Sequence, residues 1–159
     1  MGVISNMEFK EDFKKEKGLG VEWIRPDVRG EMGEIKRTAQ HFSQTKGGYE
    51  KNLAALVEAI EKGIIGELTN DIWMRLANTD SFHSIREGHI EDVAQYAAAY
   101  KRDYGILLEV FEKGGSLPAP IIAMIRDKLP YLVSGNTRLM VARAIKKRPQ
   151  ALFAKIDFS

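Results

Sequence analysis

The stretch "PYLVSGNTRLMVARAI", residues 130–145, decides how this chain is read. A short apolar run ends in Ser-Gly-Asn-Thr-Arg, and a helical pattern begins at once. "LPYLVS" (129–134) reads as a strand. "NTRLMVARAIKKR" reads as a helix with Asn136 or Thr137 as its cap. Lys146, Lys147 and Arg148 fall in its last turn, where the helix dipole favours cations, and Pro149 ends it. Before this stretch, "LPAPIIAMI" (117–125) carries Pro118 and Pro120 ahead of a β-rich run, as at the start of a strand. "RDK" at 126–128 is a turn candidate, and "ALFAKIDF" (151–158) is a final strand. The C-terminal third is therefore hairpin, helix, strand. It is too short to bury a core alone, so upstream helices must pack on it.

The junction itself has the parts of an anion site. A helix N-terminus carries unpaired N–H groups and roughly half a positive charge. Gly135 lets backbone approach a ligand, and Ser134, Asn136 and Thr137 add hydrogen-bonding side chains. Arg138 brings a permanent cation whose fork fits phosphate oxygens. "SGNTR" lacks the Gly-Lys-Ser/Thr of a P-loop and the Gly-x-Gly-x-x-Gly of a dinucleotide fingerprint. A plainer reading stays open at this level: a glycine turn, a helix cap and a surface arginine.

Upstream, "YEKNLAALVEAIEKG" (49–63) is an amphipathic helix, with Leu53, Leu56, Val57 and Ile60 on one face and Gly63 as its stop. An apolar stretch follows at 71–82. One or two helices lie in 84–115, with Ile90, Val93, Ala94 and Ala97 on one face and Ile106, Leu107, Val110 and Phe111 on another, ending at Gly114-Gly115. Residues 1–48 resist parsing. "MEFKEDFKKEKGLG" suits a short charged helix, while Pro26, Gly30 and Gly33 make the next segment read as irregular, and "EIKRTAQHFSQTKGGY" shows no clean period. The expected organisation is an irregular arm at 1–48, a helical region at 49–99, and a core at 100–159, together one compact domain. The arm is expected to drape over that core or over a partner in a homodimer. The fold class is α+β: a small mixed sheet packed by several N-terminal helices.

Composition narrows the classes. Hydrophobic residues make up 44% and charged residues 29%, which is ordinary for a globular chain. The net charge of +2, from 24 basic and 22 acidic residues, is no overall footprint for nucleic acid, though a local basic patch is compatible with it. No cysteine is present, so disulfides, thiolate metal sites and cysteine nucleophiles are excluded. With no signal peptide and no apolar run of about 18 residues, the expectation is a soluble cytoplasmic protein without membrane contact. "MGVISN" has Asn6 where a myristoylation signal needs Ser or Thr.

The succession "LLEVFEKGGSLPAPIIAMI", "PYLVSGNTRLMVARAI", "ALFAKID" resembles the ParB/sulfiredoxin superfamily over roughly residues 100–157. There a helix and a glycine loop lead to a Pro-Ile strand, a second strand, a Gly-x-x-Arg helix start and a terminal strand. ParB proteins carry Gly-Glu-Arg-Arg at the junction and sulfiredoxins Gly-Cys-His-Arg; here it is Gly135-Asn136-Thr137-Arg138. The "GNTRLM" form is similar to small phage-encoded members, which would place the protein in a host cytoplasm.

The resemblance implies a nucleotide pocket, with ATP or another nucleoside triphosphate and Mg2+. Ser134, Gly135, Asn136, Thr137 and Arg138 would hold phosphates, and Lys101 and Arg102 would add charge from the preceding helix. Asn136 stands where sulfiredoxins have their nucleophilic cysteine, so sulfinic acid reduction is not expected. No helix-turn-helix follows the core, so a chromosome-partition clamp is not expected either.

Phosphoryl transfer asks for positioning, charge neutralisation and a base. Asp103, beside Arg102, is the first carboxylate candidate; Glu109 and Glu112 come next, each also readable as a solvated helix carboxylate. The polar loop "NTDSFHSIREG" adds Asp80 and His83 in reserve. His41, His83 and His89 lack metal-ligand spacing. Trp23, Trp73 and the stripe Tyr96, Tyr100, Tyr104 can stack on a base, or form core or interface. The leading expectation is a kinase or nucleoside triphosphatase, acting on a small molecule or a modified nucleoside. The alternatives are a non-catalytic DNA- or protein-binding module and a ParB-like nuclease, the last without a clustered acidic metal site in the sequence.

Overall fold

The computed structural model describes residues 21–43, 48–77, 104–144 and 149–158. In chain order the elements are β1 (Val21–Ile24), α1 (Met32–Ser43), α2 (Tyr49–Glu61), β2 (Ile64–Glu67), α3 (Asn70–Arg75), α4 (Tyr104–Lys113), β3 (Gly115–Pro118), β4 (Ile121–Ile125), β5 (Tyr131–Ser134), α5 (Asn136–Ala144) and β6 (Gln150–Ile156). The fold is α+β with a mixed sheet.

The sheet is built as the residues around the junction dictate. β4 and β5 are joined by a short turn, so they pair antiparallel. Lys128 N bonds to Ile125 O at 3.1 Å, and Asp127 takes a φ of 62°, which the short Asp side chain tolerates. β6 arrives after α5 and lies parallel to β4 on its other side, Ile121 opposite Leu152 through Ile125 opposite Ile156. β2 adds to the outer side of β6, antiparallel, giving the order β2-β6-β4-β5.

β4 and β5 are almost wholly buried because helices cover both faces. Alternate residues go to opposite sides, as the strand period of two requires. Ile122, Leu132 and Ala151 pack with Trp73, Phe111 and Leu139. Ile121, Val133 and Leu152 pack with Ile35, Leu56 and Ile60. The result is three layers, with the sheet between α1 and α2 on one side and α3, α4 and α5 on the other.

Several expectations change. Part of the supposed irregular arm is regular: α1 covers 32–43 and buries Ile35, Thr38, Ala39 and Phe42. These lie at i, i+3, i+4 and i+7, a helical face that the small Thr and Ala disguise in the sequence. The described portion of the arm folds back on its own chain. The strand expected after the prolines forms as β4, and a further strand that was not expected, β3, precedes it. Pro118 and Pro120 have no N–H to offer a ladder, and the chain changes sheets there: β3 pairs in parallel with β1 and β4 with β6. β2 had no expected counterpart. The apolar stretch from 71 yields the short α3, capped by Thr69, whose Oγ1 accepts from Ile72 N at 3.3 Å. α5 starts at Asn136, so Gly135 takes the capping position expected of Asn136 or Thr137, and its carbonyl accepts from Leu139 N at 2.9 Å.

α2 ends where expected, but for other reasons. The Arg25 guanidinium donates to the carbonyls of Ile60 and Glu61 at 3.0 and 2.9 Å, satisfying the helix end with a cation. Gly63 is needed for space: a Cβ there would lie 2.6 Å from Leu152 Cδ2 and 2.9 Å from Phe153 O. Gly63→Ala should therefore loosen the α2–β6 contact and cost about 1–3 kcal/mol, as overpacking does. A urea unfolding curve with a lowered midpoint and unchanged slope would register it.

Candidate functional site

The junction lies where β5 ends beside the start of β4. Gly135 has a φ of 102°, a region that side-chain-bearing residues rarely adopt. What its missing Cβ makes room for is Pro120: a Cβ would stand 2.6 Å from Pro120 Cβ and 2.8 Å from its Cα. The close approach expected of a ligand is thus taken, at the glycine, by protein backbone. Ser134 and Thr137 are buried, while Gly135, Asn136 and Arg138 are partly exposed.

A residue outside the motif completes the site. Glu31 stands immediately before α1, and its carbonyl accepts from Ile35 N at 3.0 Å. The turn before it is fixed by Asp27, whose carboxylate accepts from Arg29 N at 3.2 Å and whose carbonyl accepts from Glu31 N at 3.1 Å. This aims the Glu31 carboxylate at the junction. One oxygen, Oε1, receives Arg138 Nη2 at 2.6 Å and Ser134 Oγ at 2.9 Å. The other end of the guanidinium, Nη1, donates to Pro118 O at 3.0 Å. The Arg138 and Glu31 side chains are 13% and 19% exposed, too enclosed for an ordinary surface pair. Arg138 therefore ties three segments together: the start of α1, the proline link, and α5.

Chemically, the junction presents a hydroxyl and a guanidinium aimed at one oxyanion, beside the N-terminus of α5. An internal carboxylate supplies that oxyanion. Sequence reasoning missed Glu31. No cue in the sequence marked it, because the helix that it precedes shows no clean period there.

The remaining candidates separate from this group. Glu109 is exposed and paired with Lys113, one turn along α4, at 3.3 Å; Glu112 is also exposed. Lys101, Arg102, Asp103, Asp80 and His83 lie outside the described residues, as do His89, Tyr96 and Tyr100. Trp73 is 1% exposed and belongs to the core, which removes it as a stacking platform. Trp23 leans on Phe111, with ring centroids 5.8 Å apart. His41 stacks on Tyr131 at 5.4 Å. Among the described residues no three His, Cys, Asp or Glu side chains gather as a metal site, and no helix is long and apolar enough to cross a membrane.

Fold and site together define an α+β protein with a carboxylate-filled, arginine-bearing strand-to-helix junction. The chain matches no protein-family model, no curated protein and no solved structure.

Proposed function

We propose that the protein binds a nucleotide with its phosphates at the Ser134–Arg138 junction and transfers or hydrolyses the terminal phosphate. One observation supports this above others: Ser134 Oγ and Arg138 Nη2 already converge on a single carboxylate oxygen. Two donors held on one oxyanion are a preorganised anion site. A phosphate oxygen placed there would gain the N-terminal N–H groups of α5 as well. The likeness to ParB/sulfiredoxin proteins, resting on the order of elements from α4 to β6, supplies the nucleotide. A small molecule or a modified nucleoside is the proposed acceptor.

The residues fit phosphate better than they fit a metal held by protein alone. Mg2+ brought by a nucleotide asks for only one or two carboxylates, and Glu31 is the one at the junction. When bound, Mg2+ would offset phosphate charge. Arg138 would hold a phosphate oxygen and Ser134 would orient it.

Glu31 makes the reading testable. A phosphate must share or take over the donors that Glu31 now holds, and two anions at one arginine repel. Thermal melts with ATP, ADP and CTP, with and without Mg2+, should show an upward shift for at least one nucleotide. Saturation at a hundred times Kd stabilises by about 2.7 kcal/mol, or roughly 5–10 °C for a chain of this size. Absence of any shift across all three nucleotides, in the native chain and in Glu31→Gln, would reject the reading.

A further inference from the structure

The two edges of the sheet are treated differently. At β5 the edge is covered: Ala77 N donates to Pro130 O at 2.8 Å, and Ala77 O accepts from Leu132 N at 3.1 Å. At β2, among the described residues, no strand pairs with the outer side. Leu68 N donates to Pro149 O at 3.1 Å, which sets the phase of the β2–β6 ladder. Gly66 and Ile64 direct their N–H and C=O groups to β6, and Ile65 turns its own outward. Proteins commonly blunt such an edge with a lysine, a proline or a bulge, and "IIGE" has none of them.

One face of this edge is poorly suited to a lone chain. Ile64 is 74% exposed. Gly66, two residues on, faces the same side. Neither its backbone nor the packing of its own chain calls for a glycine: its φ is not positive, and a Cβ would meet nothing nearer than the Phe153 ring at 3.7 Å, an ordinary contact. A glycine inside a strand weakens it and often marks the close approach of another backbone. A projecting isoleucine and a hollow thus stand two residues apart on one edge.

A groove of about 530 Å³ runs round the start of β2, with Ala55, Ala59, Ile64 and Phe153 in its lining. Its charges balance, Glu58 and Asp157 against Lys62 and Lys155. A polyanion gains little from such a rim, whereas a surface that itself carries both signs can match it.

We propose that β2 pairs antiparallel with β2 of a second copy of this chain, about a twofold axis through Ile65. That register sets Ile65 opposite itself, where its outward N–H and C=O exchange both hydrogen bonds. It sets Ile64 opposite Gly66 of the second copy, so each isoleucine fills the hollow beside the other's glycine and packs on its Phe153. Projection and hollow lie on the same strand, so one twofold axis satisfies both at once, as an isologous interface requires. Glu67 of the second copy comes opposite Gly63, beside Lys62, and a carboxylate meets an ammonium twice across the axis. The pairing doubles the four-stranded sheet. It is independent of the nucleotide reading, because the junction follows β5 at the other edge.

Sedimentation equilibrium at about 100 μM, above the micromolar Kd of weak interfaces, should return twice the chain mass of 17.9 kDa. Ile64→Lys should raise the dimer Kd by at least about tenfold, because it removes the projecting side chain and places a cation on each side of the axis. Leu129→Lys, at an apolar residue 55% exposed between β4 and β5, should leave the dimer unchanged. At high dilution Ile64→Lys should melt with the native chain, since residue 64 is exposed in the monomer, and its nucleotide shift should persist. The chain has no cysteine, so the register can be read directly. Ile64→Cys mixed with Gly66→Cys should form a disulfide between the two, since opposite Cα atoms of a non-hydrogen-bonded pair stand about 4.5 Å apart. Neither variant should cross-link to itself, because like positions are offset by two residues and stand about 8 Å apart. A monomeric native chain, a dimer that Ile64→Lys leaves intact, or a mixture that forms no disulfide would overturn the inference.

Discussion

Gly135→Ala should destabilise the chain by about 3 kcal/mol, the sum of a left-handed backbone cost near 1–2 kcal/mol and an overpacking cost of similar size. Both contributions come from the same atom. At a φ of 102° an added Cβ is strained whatever surrounds it. It would also stand 2.6 and 2.8 Å from Pro120, whose Cα is backbone and whose ring has no other rotamer to adopt. Pro120 cannot retreat easily, because its carbonyl accepts from Leu152 N at 2.8 Å and so belongs to the β4–β6 pairing. A melting temperature lowered by about 6–12 °C is the expected reading. A change below about 1 °C would mean that the junction can relax and that the glycine serves another end. Gly63→Ala is the natural comparison: an added Cβ there also stands too close, 2.6 Å from a leucine side chain and 2.9 Å from Phe153 O, but the φ of Gly63 lies outside the left-handed region, so only the overpacking cost applies and a smaller loss is expected.

Arg138→Ala is expected to cost about 2–3 kcal/mol, the range for hydrogen bonds to charged groups when one partner is removed. The variant leaves Pro118 O without its guanidinium donor and the Glu31 carboxylate with Ser134 as its remaining donor among the contacts described. Glu31→Gln keeps the shape and an acceptor oxygen, so its cost should be lower, about 1 kcal/mol. A double-mutant cycle should return a coupling of about 1–2 kcal/mol, because the pair is enclosed and in direct contact.

The same variants separate a clamp from a phosphate site. If the junction is only a clamp, Arg138→Ala and Glu31→Gln both lower stability and nucleotide titrations stay flat. If it is a phosphate site, they part company. Arg138→Ala should abolish the nucleotide shift. Titrated without Mg2+, Glu31→Gln should strengthen nucleotide binding by about tenfold or more, since removing one like charge near a phosphate is worth at least 1.4 kcal/mol when water is partly excluded. Isothermal titration on the two variants reads both effects directly.

Much of the sheet could be read from local pattern. The β4–β5 hairpin, the helix start after Gly135 and the strand that follows Pro149 stand where turn residues and apolar runs put them. α2 was legible because Leu53, Leu56, Val57 and Ile60 keep a helical period. α1 was not, since Thr38 and Ala39 carry half of its buried face. β2 was hidden because "IIGE" is four residues long and becomes a strand only through its pairing with β6. Ser134, Gly135 and Arg138 stand together at one turn, as their adjacency in the sequence requires. Glu31 was not foreseen, and Glu109 was placed on phosphate chemistry while the fold leaves it in solvent beside Lys113.

By itself the sequence determined the α+β class, the succession hairpin–helix–strand, and the gathering of a serine, a glycine and an arginine at one helix start. Those depend on contacts within a few residues, where turn chemistry and periodicity act directly. Only the tertiary structure decided what these residues face. Glu31 reaches Ser134 and Arg138 across 103 and 107 residues. Gly135 is required by Pro120 and Gly63 by Leu152. Which distant groups meet follows from how helices cover the two faces of the sheet, a packing outcome that no local pattern encodes.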